Sequence, residues 1–218
     1  MHKGLIFDLD GVIVDTAKYH YKAWKEIADD LNIVFTQEDN ERLKGVSRER
    51  SFEIILEIGH VSMTKERKEF FCSLKNDIYL SYIRKMTEEE ILPGVKDFLI
   101  DAKTKGYKIA LGSASRNSKL ILKNLKLMDY FDEIIDGTSV ASAKPDPEVF
   151  VKGASALRVR AEECIVFEDS LAGIEAAHAG DMLAVGIGNR SVLPSADINV
   201  NGFAGISIEN IETLSLLQ

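Results

Sequence analysis

The chain has little of what covalent scaffolds, fibres and membrane proteins are made from. Two cysteines, Cys72 and Cys164, stand far apart in 218 residues without a CxxC pairing. Two reduced, buried thiols in a reducing cytoplasm are therefore expected, not a disulfide framework. No window approaches the about 18 uninterrupted apolar residues of a membrane-spanning helix, and the early run Leu5 to Phe7 stops at Asp8. Membrane insertion and secretion by a signal peptide are not expected. Basic residues are outnumbered 27 to 35, for a formal charge of -8, and no basic stripe offsets this, so a nucleic-acid partner is not expected. An anionic small molecule stays open, because a few cations focused in a cleft can hold it whatever the global sign. The four histidines never reach HExxH spacing, and no GxxxxGK[ST] loop occurs. What is present is ordinary for a globule: 45% hydrophobic and 28% charged residues, with no low-complexity segment or internal repeat.

Short apolar runs at Lys3 to Phe7, Tyr107 to Leu111, Cys164 to Phe167 and Met182 to Ile187 read as buried strands. Between them lie helical patterns at Val95 to Thr104, Ser118 to Leu125 and Pro147 to Leu157. Alternation of this kind predicts an α/β fold, a mostly parallel sheet covered on both faces, with ligands at the carboxyl ends of its strands. Residues 15 to about 93 break the pattern. They offer helical spacing at Tyr21, Trp24, Ala28 and Leu31 and a long amphipathic stretch from Glu66 to Met86, but no convincing strand. The expectation is a core domain of residues 1–14 and 94–218 and a helical cap of residues 15–93 inserted after the first strand. The chain would return through the polar run Thr87 to Glu90 and the breaker Pro93-Gly94.

Two acidic pairs end buried runs. Asp8 and Asp10 stand two positions apart just past the first strand, with Gly11 allowing a sharp turn. Alone, that pattern is more often a solvated turn. Glu168-Asp169 ends another strand and could cap the helix starting near Ser170. Carboxylates at two neighbouring parallel strand tips converge on one sheet edge and make a hard-oxygen site suited to Mg2+. Ser113, with the amides that follow it, and Lys144 are strand-end features suited to phosphate, though a lone lysine is also ordinary surface.

Asp8-Leu9-Asp10-Gly11, Ser113, Lys144-Pro145 and Glu168-Asp169 resemble, in order and spacing, the four motifs of the haloacid dehalogenase superfamily, over the whole chain. The stretch Asp10 to Thr16, with His20, Trp24, Leu43 to Glu49, Lys75-Asn76-Asp77 and Ser113 to Asn117, resembles the sugar-phosphate mutases of that superfamily. Arg116 stands where lysine is common, which keeps the charge and changes the hydrogen-bonding fork.

The resemblance implies a doubly wound core with a small helical cap, working as a monomer on a sugar phosphate with Mg2+ as cofactor. It implies Asp8 as nucleophile, Asp10 as general acid and base, and metal ligation by Asp8, the Asp10 carbonyl, Glu168 and Asp169. Ser113, Ala114 and Lys144 would hold the transferring phosphate. His20, Trp24, Lys44, Gly45, Val46, Ser47, Arg48, Lys75, Asn76, Ser115, Arg116 and Asn117 would bind the substrate. Arg48, Ser115, Arg116 and Asn117 would take the phosphate that is not reacting, and His20 with Lys75 would tie cap closure to Asp10. The implied reaction interconverts β-glucose 1-phosphate and glucose 6-phosphate through an aspartyl phosphate and a 1,6-bisphosphate. A sugar-phosphate phosphatase is the alternative. For His20 an exposed helix position, and for Lys44 and Lys75 solvated surface, are the plain structural alternatives.

Overall fold

A computed structural model describes residues 2–43 and 47–216; Lys44, Gly45 and Val46 lie outside the described residues. The chain opens with β1 (Gly4–Phe7), whose four residues are all buried. A tight loop follows in which Leu9 carbonyl accepts the amides of Ile13 and Val14, and Gly11 donates to Val14 O at 2.8 Å. Leu9, Val12, Ile13 and Val14 are fully buried, so the loop carrying Asp8 and Asp10 is anchored by its own apolar side chains.

Residues Thr16–Lys85 form one compact unit. It holds α1 (Ala17–Asp30), α2 (Gln37–Glu41), α3 (Arg48–Ile58) and α4 (Lys65–Ile83). Thr36, Ser47 and Thr64 start the last three, each hydroxyl accepting a main-chain N–H in the first turn. The unit packs on its own core of Trp24, Ile27, Phe35, Phe52 and Ile55.

The other unit comprises Met1–Asp15 and Met86–Gln218. The return therefore comes at Met86 and not after residue 93, and the helical unit is shorter than expected. Met86 is buried, Ile91 forms an antiparallel bridge with Val14, and Leu92 donates to Ile13 O at 2.9 Å. Glu88, in the polar run read as a linker, pairs with Lys96 and Lys126. After α5 (Val95–Thr104) come β2 (Lys108–Gly112), α6 (Ser118–Asn124), β3 (Glu133–Ile135), α7 (Glu148–Leu157), β4 (Cys164–Glu168), α8 (Leu171–Ala179), β5 (Leu183–Ile187), β6 (Ile198–Val200) and α9 (Ile208–Ser215).

The six strands are parallel in the order β3-β2-β1-β4-β5-β6. The chain builds outward from β1 to β3, then crosses back to lay β4 on the other side of β1. Such a reversal leaves a crevice at the carboxyl ends of β1 and β4, where doubly wound folds place ligands. Register sharpens this. Phe7 lies opposite both Phe167 and Leu111, so Asp8, Glu168 and the residues after Leu111 leave the sheet side by side. One face of the sheet packs Phe7 on Phe167, with centroids 4.6 Å apart, beside Phe98 and Phe203; the other packs Ile6 and Val166 with Phe150. At about 1.5 to 3 kcal/mol per fully buried large apolar side chain, these layers fix the strand tips firmly.

Candidate active site

Lys144 is the hub of the core site. Its ammonium donates to Asp8 Oδ1 at 2.5 Å and to Glu168 Oε1 at 2.6 Å, with the lysine side chain 11% exposed. It also lies 4.7 Å from the Phe150 ring centroid. The solvated-surface alternative for Lys144 is thus excluded. Burial pushes the Asp8 carboxyl up to about 8, against the pull of Lys144; the Glu168 and Asp10 charges push it the same way. Burial works against the charge on Lys144, but Asp8 and Glu168 overcome it and raise its pKa above the usual lysine value. One ammonium serves two buried carboxylates, so the cluster gains a surplus of negative charge once Asp8 ionises.

Glu168 is held on its other oxygen. Oε2 accepts the Ser170 amide at 2.7 Å and the Ser170 hydroxyl at 2.8 Å, and Ser170 Oγ in turn accepts the Gly173 amide at 3.1 Å as the N-cap of α8. The cap is thus Ser170, with the acid behind it, where Glu168-Asp169 had been the sequence expectation. Gly173 is required here, because a Cβ would lie 1.9 Å from Glu168 Cδ. Asp169 packs on Gly11, at φ +80°, where a Cβ would meet its Oδ2 at 1.9 Å. Sequence reading missed Ser170 and Gly173; Ser-x-x-Gly at a strand-to-helix junction was the available signal.

Ser113 follows β2 and is buried; its Oγ accepts the Ser115 amide at 3.1 Å, and Ser115 Oγ accepts the Asn117 amide at 3.3 Å. Two of the amides expected to face phosphate are therefore spent on hydroxyls that shape the loop. Ala114 and Arg116 are exposed on it. Among the described residues no three Asp, Glu, His or Cys side chains are gathered as a ready-made metal cage. The donor chemistry nonetheless fits a hard cation, being all oxygen with two carboxylates to one ammonium.

In the helical unit, a second cluster forms where α1 meets α4. Lys75 Nζ lies 2.7 Å from His20 Nδ1, 5.0 Å from the Trp24 ring centroid and 4.9 Å from that of Tyr79. Burial, then the charges of Lys75 and Arg48, hold the His20 pKa well below its usual value, so the neutral ring accepts from the ammonium. The exposed reading of His20 and the solvated reading of Lys75, which is 3% exposed, are both overturned. Trp24, read as a substrate contact, is buried and stacks on Phe52 at 5.8 Å. Arg48 Nη2 donates to Asn76 Oδ1 at 2.8 Å. Ser47 accepts the Arg50 amide at 3.1 Å as the N-cap of α3, a structural duty its substrate reading did not foresee. Tyr79, four residues past Lys75 on the same helix face, was missed.

The fold and this strand-end cluster are those of a phosphoryl-transfer enzyme class, and residues 2–181 match the haloacid dehalogenase-like hydrolase family, to which the chain belongs. Over 209 residues, 95% of this chain and 92% of the relative, it is 43% identical to a β-phosphoglucomutase of Bacillus subtilis (strain 168). The crystal structure of a β-phosphoglucomutase from Clostridium difficile superposes with a TM-score of 0.91 at 39% identity, covering all of both chains. A phosphorylated-carbohydrates phosphatase of Thermotoga maritima is 30% identical over 177 residues, 80% of each chain. Among the described residues no helix is long and apolar enough to cross a membrane.

Proposed function

We propose that the chain is a β-phosphoglucomutase, an isomerase that interconverts β-glucose 1-phosphate and glucose 6-phosphate. The observation that carries the mutase reading is the 43% identity to the Bacillus subtilis mutase over nearly the whole chain, against 30% to the Thermotoga maritima phosphatase. The core chemistry is consistent with it. A carboxylate approaching a phosphate oxygen at 4 Å meets about 4 kcal/mol of repulsion per charge pair at an effective dielectric near 20. Lys144, already on Asp8 and Glu168, stands where it can offset that repulsion.

In this reading Asp8 attacks the phosphoryl group and becomes an aspartyl phosphate. Asp10 gives a proton to the departing sugar oxygen and later takes one from the attacking hydroxyl. The aspartyl phosphate, primed by a bisphosphate, passes its phosphoryl group to the 6-hydroxyl of β-glucose 1-phosphate; the resulting 1,6-bisphosphate reorients, returns its 1-phosphoryl group to Asp8 and leaves as glucose 6-phosphate. Ser113, Ala114 and Lys144 hold the transferring oxygens, while Arg48, Asn76, Ser115, Arg116 and Asn117 bind the remaining phosphate and the sugar. Asp8, the Asp10 carbonyl, Glu168 and Asp169 would hold Mg2+, which when bound supplies neutralising charge to the phosphoryl oxygens. Two free, buried cysteines support a reducing cytoplasm, and the acidic balance supports the absence of a nucleic-acid partner.

The test supplies purified protein with β-glucose 1-phosphate and a trace of bisphosphate, and records glucose 6-phosphate and free phosphate together. Glucose 6-phosphate should accumulate with little free phosphate, stop on chelation and resume with Mg2+ far better than with Ca2+. Free phosphate as the main product would replace this reading with the phosphatase.

A further inference from the structure

Lys144 reaches Asp8 and Glu168 from a long connection between β3 and α7, outside regular structure. That connection is tied down from α7. Glu148, in the helix's first turn, accepts the amides of Ala141 and Ser142 on Oε2, both at 2.8 Å. Its Oε1 takes the Lys152 ammonium at 2.6 Å, and the same ammonium donates to Ser139 O at 2.7 Å. Asp146 Oδ1 closes the far side by accepting the Glu148 amide at 2.9 Å. The connection is thereby held before Lys144, at Ser139, Ala141 and Ser142, by the Glu148 carboxylate and its lysine, and after it by the Asp146 carboxylate.

None of the strand-end motifs includes Glu148, yet two of its four hydrogen bonds hold main-chain groups only two and three positions before Lys144. The Lys152 ammonium first, then the Ser142 and Ala141 amides, hold its carboxyl down to about 2. The clasp therefore stays charged across the range in which proteins work. A carboxylate that accepts two adjacent amides fixes the path of the peptide between them, and a displaced loop would carry the ammonium away from its carboxylates.

We propose that Glu148 is a positioning residue for Lys144, acting through the main-chain amides of Ala141 and Ser142. The inference rests on the phosphoryl-transfer reading for its effect on rate, but not for its effect on Lys144 itself. It touches no substrate. Its removal should lower kcat and leave KM for the sugar phosphate nearly unchanged.

The experiment compares Glu148→Ala, Glu148→Asp and Glu148→Gln in the full chain, by kcat, KM, thermal midpoint and the 15N NMR signal of the Lys144 ammonium. Misplacing a catalytic group by about 1 Å can cost up to about 100-fold, so Glu148→Ala should lose roughly 10- to 100-fold in kcat with KM within about twofold. Glu148→Gln still offers a carbonyl oxygen to both amides, and should stay within about threefold. The Lys144 signal should shift or broaden in the alanine variant and hold in the glutamine variant. If Glu148→Ala does not fold, Glu148→Asp carries the test, since it keeps the charge but shortens the reach. Equal losses for Ala and Gln, a fall in thermal midpoint with kcat intact, or an unmoved Lys144 signal would each overturn the proposal. Should the wild type turn over no sugar phosphate, the functional reading fails, and the Lys144 signal alone decides the role of Glu148.

Discussion

The core and the helical unit treat buried charge in opposite ways. In the core, acids outnumber the base: Asp8 and Glu168 share Lys144, and Asp10 adds its field. In the helical unit two cations, Arg48 and Lys75, have neutral groups among their described partners. Arg48 finds an amide oxygen, while the described partners of Lys75 include an imidazole nitrogen and two aromatic faces. Neutral partners orient a cation without cancelling it, whereas carboxylates around one ammonium leave negative charge to be met from outside. The first arrangement suits an anion such as phosphate, and the second suits a divalent cation beside a nucleophile.

The largest expected effect breaks the core side of the comparison. Asp8→Asn removes the nucleophile and should reduce turnover by at least about 10^4-fold, since deleting a covalent nucleophile abolishes the pathway and leaves only binding effects. Acid-labile phosphoenzyme should vanish with it. Stability should not fall, because burial already disfavours the Asp8 charge. Near-normal turnover in this variant would transfer the role to another residue, and a large drop in thermal midpoint would show that the Asp8 charge is structural.

A smaller effect separates the two regions. Arg48→Ala removes a cation from the helical unit and leaves the strand-end cluster untouched. Losing a charge-assisted hydrogen bond costs roughly 1.5 to 3 kcal/mol, and about 1.4 kcal/mol is tenfold, so mutase kcat/KM should fall at least about 10-fold. Phosphorylation of Asp8 by acetyl phosphate, which has no second phosphate, should change far less. Equal losses in both reactions would mean that Arg48 only supports its own unit.

The sheet's centre was legible and its edges were not. Four strands announced themselves as apolar runs because parallel strands covered on both faces must be apolar on both. The strands β3 and β6 are three residues long and lie at the two edges of the sheet, too short and too mixed to stand out. At the site, carboxylates at strand ends could be read from spacing, since register is a local property. That Lys144 would be buried between two of them could not, because its neighbours are 136 and 24 residues away. Lys75 misleads for a similar reason: as a lysine on a long helix it reads as solvated, and only the packing of α1 on α4 buries it.

The smallest effect sharpens the helical side. His20 is kept neutral by burial and by the charges of Lys75 and Arg48, so its folded pKa lies well below the ordinary value of 6.5. In the unfolded chain it takes up a proton as pH falls through that value. The unfolded state then binds more protons than the folded one, so stability is whole above 6.5 and declines on acidification. The slope from one such group approaches about 1.4 kcal/mol per pH unit below that point. The chain has a single tryptophan, Trp24, buried in this unit against Phe52, so its fluorescence reports the region directly. Denaturant midpoints followed by that signal from pH 7.5 to 5 should fall in the wild type and fall less steeply in His20→Gln, which can still accept from Lys75 but cannot take a proton. Parallel slopes in the two proteins would show that His20 is protonated in the folded state, and that Lys75 meets a cation there in place of a neutral ring.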